Sequence, residues 1–332
     1  MSVGRCVAVV GATGAVGQEL LRTLEQRDFP VRELRLLASP RSAGRQMEFC
    51  GESLPVEVLT AESFRGVDLA LFSAGGATSR EFAPRAVDAG AVVVDNSSAF
   101  RMDPTVPLVV PEVNAAAIAG HRGILANPNC STILMVVVLA PLHRAAGLER
   151  VLVATYQAAS GAGQRAMDEL LAMTRAALDG ARPAPEVLPH PLAFNLFPQV
   201  DVFQPSGYTR EEDKMQDETR KILDLPELRV EATCVRVPVL RCHSEAVSVE
   251  LSRPLTPAAA SEVLAAAPGV EVRDDPDGRG LPQPIDVTGR GEVVVGRLRP
   301  SRAFDPGLAF WLVGDQLLKG AALNAVQIAE LL

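Results

Sequence analysis

The sequence predicts an α/β protein of two domains. A Rossmann-type doubly wound parallel sheet comes first, then an α+β domain with a mainly antiparallel sheet. Three observations carry this reading. Short apolar strands alternate with helical patterns through the first third of the chain, and a glycine-rich turn joins the first strand to the first helix. From about Leu148 the strands lengthen and alternate polar with apolar residues.

The first strand is read over Cys6–Val10, whose run Val7-Ala-Val-Val10 is apolar throughout, as befits a strand covered by helices on both faces. A helix over Gly17–Gln26 follows, then strands over Leu34–Ala38 and Val67–Phe72, a helix over Ser79–Ala89 and a strand over Ala91–Val94. An apolar stretch over Ile133–Leu142 reads as a buried helix, because it covers only about half the ~20 residues that span a bilayer. Second-domain strands are expected at Val151–Tyr156, Arg229–Val237, Ala246–Leu251 and Glu292–Leu298. Between them lie a helix over Gln164–Leu178, a proline-rich loop from Arg182 to Pro198, and a helix opened by Thr209 with Glu212 at capping-box spacing. Asp315–Leu332 reads as an amphipathic helix that packs back on the first domain. The domains are therefore expected at residues 1–128 with 314–332, and at 129–313.

Composition narrows the function. The chain of 332 residues carries a net charge of −8, with 22% charged residues, 4% aromatics and no basic block, which argues against nucleic acid and against an anionic membrane surface as partners. A small-molecule substrate is the expectation. The five cysteines are odd in number and widely spread, which suits free thiols in the cytoplasm. Met1 to Val10 lack the features of an export signal, since the apolar run stops at Gly11. No C-x-x-C or H-x-x-x-H pair occurs, so no metal is expected.

Gly11-Ala-Thr-Gly14-Ala-Val-Gly17 follows a strand and opens a helix, the context in which glycines let the backbone approach a pyrophosphate seated on free N–H groups. The alternative is a tight turn without a ligand. The next strand runs into Ser39-Pro-Arg41-Ser42-Ala-Gly44 with no acid at its end. An NAD site places an acid there for the ribose 2′-hydroxyl, whereas Arg41 with Ser39 and Ser42 suits a 2′-phosphate, so NADP is favoured over a plain solvated turn.

Asn127-Pro-Asn129-Cys130-Ser131-Thr132 puts Cys130 where a loop meets a helix N-terminus. Such a position, with a cation nearby, favours the thiolate over the thiol, although buried cysteine is often mere filler. His243, in Arg241-Cys242-His243-Ser244-Glu245, is the histidine of the four best placed to exchange a proton with it, His121, His143 and His190 lacking comparable context. Cys242 reads as buried filler or as a redox-sensitive second thiol.

These segments, together with Asp95-Asn-Ser-Ser-Ala-Phe-Arg101, Val110-Pro-Glu-Val-Asn114, Tyr156-Gln-Ala-Ala-Ser-Gly-Ala-Gly163 and Arg236, resemble the aspartate-β-semialdehyde dehydrogenase family in order and over the whole chain. The resemblance implies a homodimer that uses NADPH to reduce L-aspartyl-4-phosphate to L-aspartate-4-semialdehyde, supplying lysine or diaminopimelate, threonine and methionine synthesis. It makes Cys130 the nucleophile, His243 the acid/base and Gln157 the residue beside the thioester. It places the phosphate at Arg101, Lys214 and Asn129, the α-carboxylate at Arg236 and the α-amino group at Glu211. Cofactor contacts fall on Gly11, Thr13, Gly14, Ala15, Val16, Ser39, Arg41, Ser42, Ser160, Gly161 and Gln316. A doubly anionic acyl phosphate needs separated cations, and arginine binds such oxyanions in bidentate fashion. The alternatives are N-acetyl-γ-glutamyl-phosphate reductase, which shares the thioester chemistry, and a non-enzymatic paralogue, which would be expected to have lost Cys130 or His243.

Overall fold

In the computed structural model, which describes residues 4–275 and 277–332, the chain divides into two units: the chain up to Asn129 with Ala321–Leu332, and Cys130–Gly320. The first three residues of the start read as lacking an export signal lie outside the described residues.

The first unit contains β1 (Arg5–Val10), α1 (Ala15–Gln26), β2 (Val31–Ala38), β3 (Gln46–Phe49), β4 (Glu52–Val58), β5 (Leu69–Phe72), α2 (Gly76–Asp88), β6 (Val92–Asp95), α3 (Pro111–Asn114) and β7 (Ile124–Ala126). Its sheet has the order β3-β4-β2-β1-β5-β6-β7, parallel except for the β3–β4 hairpin. Strand order reverses at β1, which pairs with β2 on one side and β5 on the other, so the carboxyl end of β1 is the switch point where open α/β sheets bind ligands. Alternation along β1 feeds two cores. Val7 and Val9 pack with Leu20 and Leu24 of α1 and with Val326 and Ile328, whereas Cys6, Ala8 and Val10 pack with Phe64, Ala83 and Ala86. Each such buried aliphatic side chain contributes on the order of 1.5–3 kcal/mol.

The hairpin of β3 and β4 was not expected from the sequence. Only β3 is an edge strand, since β4 also pairs with β2, and the turn, Cys50-Gly51, takes positive φ at both residues (49° and 79°) without the usual asparagine or aspartate.

The second unit contains α4 (Cys130–Ala146), β8 (Leu148–Gln157), α5 (Gln164–Leu178), α6 (Arg210–Leu223), β9 (Arg229–Arg236), β10 (His243–Leu251), α7 (Pro257–Ala265), β11 (Val270–Val272), α8 (Pro284–Val287), β12 (Val293–Pro300) and β13 (Gly307–Gly314). The sheet order is β11-β12-β13-β10-β8-β9. It is mainly antiparallel as expected, with β8–β9 and β11–β12 pairing in parallel. α4 is buried from Ser131 to Leu142 and packs against β8, β10, β12 and β13, as its all-round apolar sequence requires. Thr209 caps α6 as the sequence predicts: its hydroxyl accepts from the Glu212 amide, and Glu212 accepts from the Thr209 amide at 2.6 Å.

The expected helix over Asp315–Leu332 is shorter. Asp315 folds its carboxylate onto the Leu317 amide at 3.1 Å and anchors Arg241 at 2.7 Å, which holds residues 315–317 in a turn, and Leu318–Ala322 then form a π-helical stretch. The regular helix covers only Leu323–Glu330. It packs on α1, and Arg27 clamps Glu330 with two bonds of 2.5 and 2.6 Å.

Candidate active site

In the first unit the glycine loop sits at the carboxyl end of β1. Gly11 has φ 86°, and a Cβ there would lie 2.4 Å from the Ser73 carbonyl oxygen; at Gly17 it would lie 2.3 Å from the Gly11 carbonyl oxygen. Only glycine fits at these two positions. α1 then starts at Ala15 with neither a side-chain cap nor an acid in its first turn, which leaves its N–H groups and positive dipole end to an anion. Thr13 Oγ1 reaches Ser42 Oγ at 3.3 Å, so the turn carrying Ser39, Arg41 and Ser42 lies beside the loop carrying Thr13, Gly14, Ala15 and Val16. Arg41 is exposed. The donors gathered here are neutral or cationic, which suits the pyrophosphate of a dinucleotide.

Arg101, in the same unit, is buried; its Nε donates to the Asn127 carbonyl at 2.9 Å and its Nη2 to the Asn96 carbonyl at 2.8 Å. The guanidinium is thereby held against the turn Asn127-Pro-Asn129. Asn324 supports that turn by donating to Asn127 Oδ1 at 2.7 Å, and Asn129 is itself buried.

In the second unit, the register of β8 and β9 places Gln157 beside Arg236 and Thr155 beside Cys234, and Glu245 of β10 lies opposite Thr155. Alternate residues share a face, so His243, Gln157 and Arg236 point together, with Glu245, Thr155 and Cys234 one row deeper. Gln157 Nε2 donates to Ser131 Oγ at 2.8 Å and to Glu211 Oε1 at 3.3 Å. This ties the sheet to the residue after Cys130 and to α6. Cys130 opens α4 and lies within electrostatic range of the Arg236 guanidinium. Arg236 Nη1 donates to the Ala158 carbonyl at 2.6 Å. Burial pulls its guanidinium down from the ordinary value, opposed by the Glu211 carboxylate and by Cys130.

His243 is fully buried. Its Nδ1 accepts from the Ala158 amide at 3.1 Å, and among the described residues its Nε2 has no hydrogen-bond partner. Burial, then the Arg236 cation, holds the imidazole well below its usual range, so the ring is neutral at pH 7. With Nδ1 accepting, the neutral ring carries its proton on Nε2. Gly161 is the common neighbour: a Cβ there would lie 2.9 Å from Arg236 Nη1 and 3.1 Å from His243 Cε1 and Nε2. Gly320 approaches Cys130 as closely, with a Cβ position 2.9 Å from the Cys130 Cβ. Gln316 bonds Ser160 and the Cys242 amide. The sequence-predicted residues of this unit thus converge: Cys130, Gln157, Ser160, Gly161, Arg236, His243 and Gln316 form one neighbourhood, joined through Gln157 to Glu211 and Lys214.

Lys214 donates to Asp201 at 2.7 Å and to Glu211 at 3.1 Å. Burial works against its charge, but the two carboxylates outweigh burial and hold the ammonium above the ordinary lysine value. Asp201, Ser131 and Glu245 were not singled out in the sequence. Ser131 is signalled only by adjacency to Cys130, and Asp201 reaches Lys214 from a loop 13 residues away. Both oxygens of Glu245 are buried without a partner among the described residues. Burial, then Glu211, raises its carboxyl well above the usual range, so it is a neutral acid. Cys242 is buried beside Thr288, and burial pushes its thiol up to about 12, the behaviour of filler rather than of a reactive thiol.

A glycine loop at the switch point of a parallel sheet, and a second unit holding a helix-start cysteine near a buried arginine and histidine, define an oxidoreductase that works with a nicotinamide cofactor. Residues 6–121 match the family model of the semialdehyde dehydrogenase NAD binding domain, and residues 139–319 that of the semialdehyde dehydrogenase dimerisation domain. The chain is 55% identical to the aspartate-semialdehyde dehydrogenase of Synechocystis sp. over 98% of its own length and 96% of that protein's. Among solved structures, aspartate semialdehyde dehydrogenase II of Vibrio cholerae complexed with ASA superposes with a TM-score of 0.95 at 46% identity, covering 99% of this chain and 98% of that one. The enzyme of Candida albicans, solved with NADP, superposes with a TM-score of 0.74 at 25% identity, again covering 99% and 98%. The chain belongs to the aspartate-semialdehyde dehydrogenase family.

Proposed function

We propose that the chain catalyses the NADPH-dependent reductive dephosphorylation of L-aspartyl-4-phosphate to L-aspartate-4-semialdehyde through a thioester on Cys130. The observation that carries this reading is the position of Cys130 at the start of α4, within electrostatic range of the buried Arg236, while Arg236 and the His243 ring both border Gly161.

Helix start and guanidinium both favour the thiolate of Cys130. The thiolate attacks the acyl carbon, a tetrahedral oxyanion forms, and the C–O bond to phosphate breaks to release inorganic phosphate and leave the thioester. NADPH, when bound, supplies the hydride that reduces the thioester carbon. The resulting thiohemiacetal re-forms C=O as the C–S bond breaks, returning the thiolate and freeing the semialdehyde. His243 is the proton donor and acceptor for the thiohemiacetal oxygen; its Nε2–H hydrogen-bonds the developing oxyanion, and the sulfur leaves as the thiolate, its charge held by the start of α4 and by Arg236. Gln157, anchored on Ser131, holds the thioester in place.

Arg236 binds the α-carboxylate and Glu211 the α-amino group, while Arg101, Asn129 and Lys214 bind phosphate. Gly11, Thr13, Gly14, Ala15, Val16, Ser39, Arg41 and Ser42, with Ser160, Gly161 and Gln316, bind the cofactor; the uncapped start of α1 supports a dinucleotide pyrophosphate, and the acid-free turn at Ser39–Ser42 supports NADP over NAD. The first unit is the NADP-binding domain, and the second the catalytic and dimerisation domain. Leu152 and Tyr156 on β8, with Phe194, Leu196 and Phe203, are exposed apolar residues that suit a homodimer. Five widely spread cysteines, none in a disulfide among the described residues, fit the cytoplasm, and among the described residues no helix is long and apolar enough to cross a membrane. The product serves amino-acid biosynthesis, through lysine or diaminopimelate, threonine and methionine.

The test follows NADPH absorbance with the semialdehyde plus phosphate, and compares N-acetylglutamate semialdehyde as substrate. Cys130→Ala should abolish turnover while NADPH still binds. Appreciable residual reduction in that variant contradicts the covalent route, and preference for the acetylated substrate contradicts the assignment.

A further inference from the structure

Gln316 lies in the turn after β13, and both ends of its side-chain amide are committed within the second unit. Oε1 accepts from the Cys242 amide at 2.9 Å, and Nε2 donates to Ser160 Oγ. The preceding residue acts on the preceding partner: Asp315 Oδ2 accepts from Arg241 Nε and from the Gly289 amide, each at 2.7 Å. Consecutive residues 315 and 316 therefore hold consecutive residues 241 and 242, directly ahead of His243. The turn at 158–160 is stitched to the same loop, because the Ala159 and Ser160 amides donate to the Val239 and Leu240 carbonyls at 2.8 and 3.1 Å. Cys242 itself has φ 73°, a left-handed conformation unusual outside glycine, which persists only where surrounding contacts impose it.

We infer that Gln316 is a positioning residue: by bridging Ser160 to Cys242 it locks the Ala158 amide onto His243 Nδ1 and so fixes the imidazole as the tautomer that carries its proton on Nε2. This rests on the reading of His243 as the proton-exchanging partner of Cys130. An amide N–H aimed at Nδ1 at 3.1 Å leaves Nε2 as the protonated nitrogen of the neutral ring. The ring then serves as a hydrogen-bond donor to an oxyanion, while the sulfur draws its charge stabilisation from the start of α4 and from Arg236. The same segment reaches the nucleophile, since the Cβ position of Gly320 is 2.9 Å from the Cys130 Cβ and 3.2 Å from the Gln316 Cβ. One short segment therefore spaces the sulfur and orients the imidazole.

The test uses cofactor-free full-length protein labelled with 15N in its histidine rings; His243→Asn identifies the His243 signals among those of the four histidines. The wild type should show a neutral ring protonated at Nε2. Q316M keeps the volume and removes both bonds, so its His243 signals in the cofactor-free protein should move toward a mixture of tautomers and kcat should fall about 10- to 100-fold, whatever it also does to NADPH affinity through the cofactor contact. Q316E, whose carboxylate accepts from both the Cys242 amide and the Ser160 hydroxyl, should restore the Nε2–H pattern. An unchanged His243 pattern in Q316M overturns the proposal, and so does a loss of NADPH affinity of about tenfold without a ring shift, which would make Gln316 a cofactor contact only. Should Q316M not fold, Ser160→Ala removes one hydroxyl from the same bridge and should shift the ring signals in the same direction; no shift overturns the proposal equally. The ring readout needs no turnover, so an inactive wild type with the expected tautomer would sink the reaction and leave the positioning role standing.

Discussion

Replacing Gly161 by alanine adds one methyl group at the point where Arg236 and His243 meet. The backbone there is not in the left-handed region, so alanine brings no φ penalty, and by restricting the unfolded chain it stabilises by about 0.4–1 kcal/mol. Against that stands steric cost. The new Cβ would lie 2.9 Å from Arg236 Nη1 and 3.1 Å from two atoms of the His243 ring, whereas carbon contacts relax near about 3.5–4 Å. Each partner must retreat by roughly half an ångström. Neither moves freely, because Arg236 Nη1 is bonded to the Ala158 carbonyl at 2.6 Å and His243 Nδ1 to the Ala158 amide. Overpacking of this kind costs about 1–3 kcal/mol, so a net loss of about 1–2 kcal/mol is expected. The effect on catalysis is larger, since a displacement of about 1 Å at a reacting group costs about 100-fold. Steady-state kinetics of Gly161→Ala should show kcat reduced about 10- to 100-fold, with a modest fall in Tm by scanning calorimetry. Gly120→Ala is the control: no heavy atom lies within 4 Å of its added Cβ, so it should keep wild-type kcat and lose nothing in Tm, gaining the small unfolded-state term instead. If Gly161→Ala matches that control in both measurements, the packing of Arg236 and His243 around Gly161 is wrong.

Glu245 is neutral when folded and ionises when unfolded, so the stability it contributes is complete below the unfolded carboxyl pKa and is lost as pH rises toward the raised folded value, by about 1.4 kcal/mol per unit. Glu245→Gln cannot ionise and should gain on the wild type as pH increases from about 5 to 8 in urea titrations; parallel curves would show that Glu245 is already charged in the folded protein. Thr209→Ala removes the cap of α6, the helix that carries Glu211 and Lys214, and should cost about 1 kcal/mol by denaturant titration, with the KM for phosphate rising as the helix start frays. Arg41→Ala should raise the KM for NADPH about tenfold and leave that for NADH nearly unchanged, because a charge-assisted phosphate contact is worth about 1.5–3 kcal/mol; equal effects on both cofactors would remove Arg41 from the 2′-phosphate.

Local chemistry was legible in the sequence, and distant register was not. The glycine loop, the helix after it and the capping box at Thr209 are written in contiguous residues, and the structure realises them within a residue or two. β13 escaped notice because Gly-Leu-Ala-Phe-Trp-Leu-Val-Gly lies inside the sheet between β12 and β10, and an apolar run buried on both faces has no period of two to distinguish it from a buried helix. Its omission had a chemical consequence. Without β13 ending at Gly314, nothing in the sequence says that Asp315 and Gln316 stop being helical and turn onto the loop before His243, 74 residues earlier. Glu245 escaped for a related reason. Along β10 the inward positions run His243, Glu245, Val247, Val249, so polarity marks where the strand enters the site, a pattern that only the pairing with Thr155 and the approach of Glu211 convert into a buried neutral acid. Residues that touch substrate advertise themselves by type and neighbours. The bonds that Gln316 makes to Ser160 and Cys242, and the burial that keeps Glu245 neutral, depend on which strands lie side by side, and a sequence read alone specifies that last.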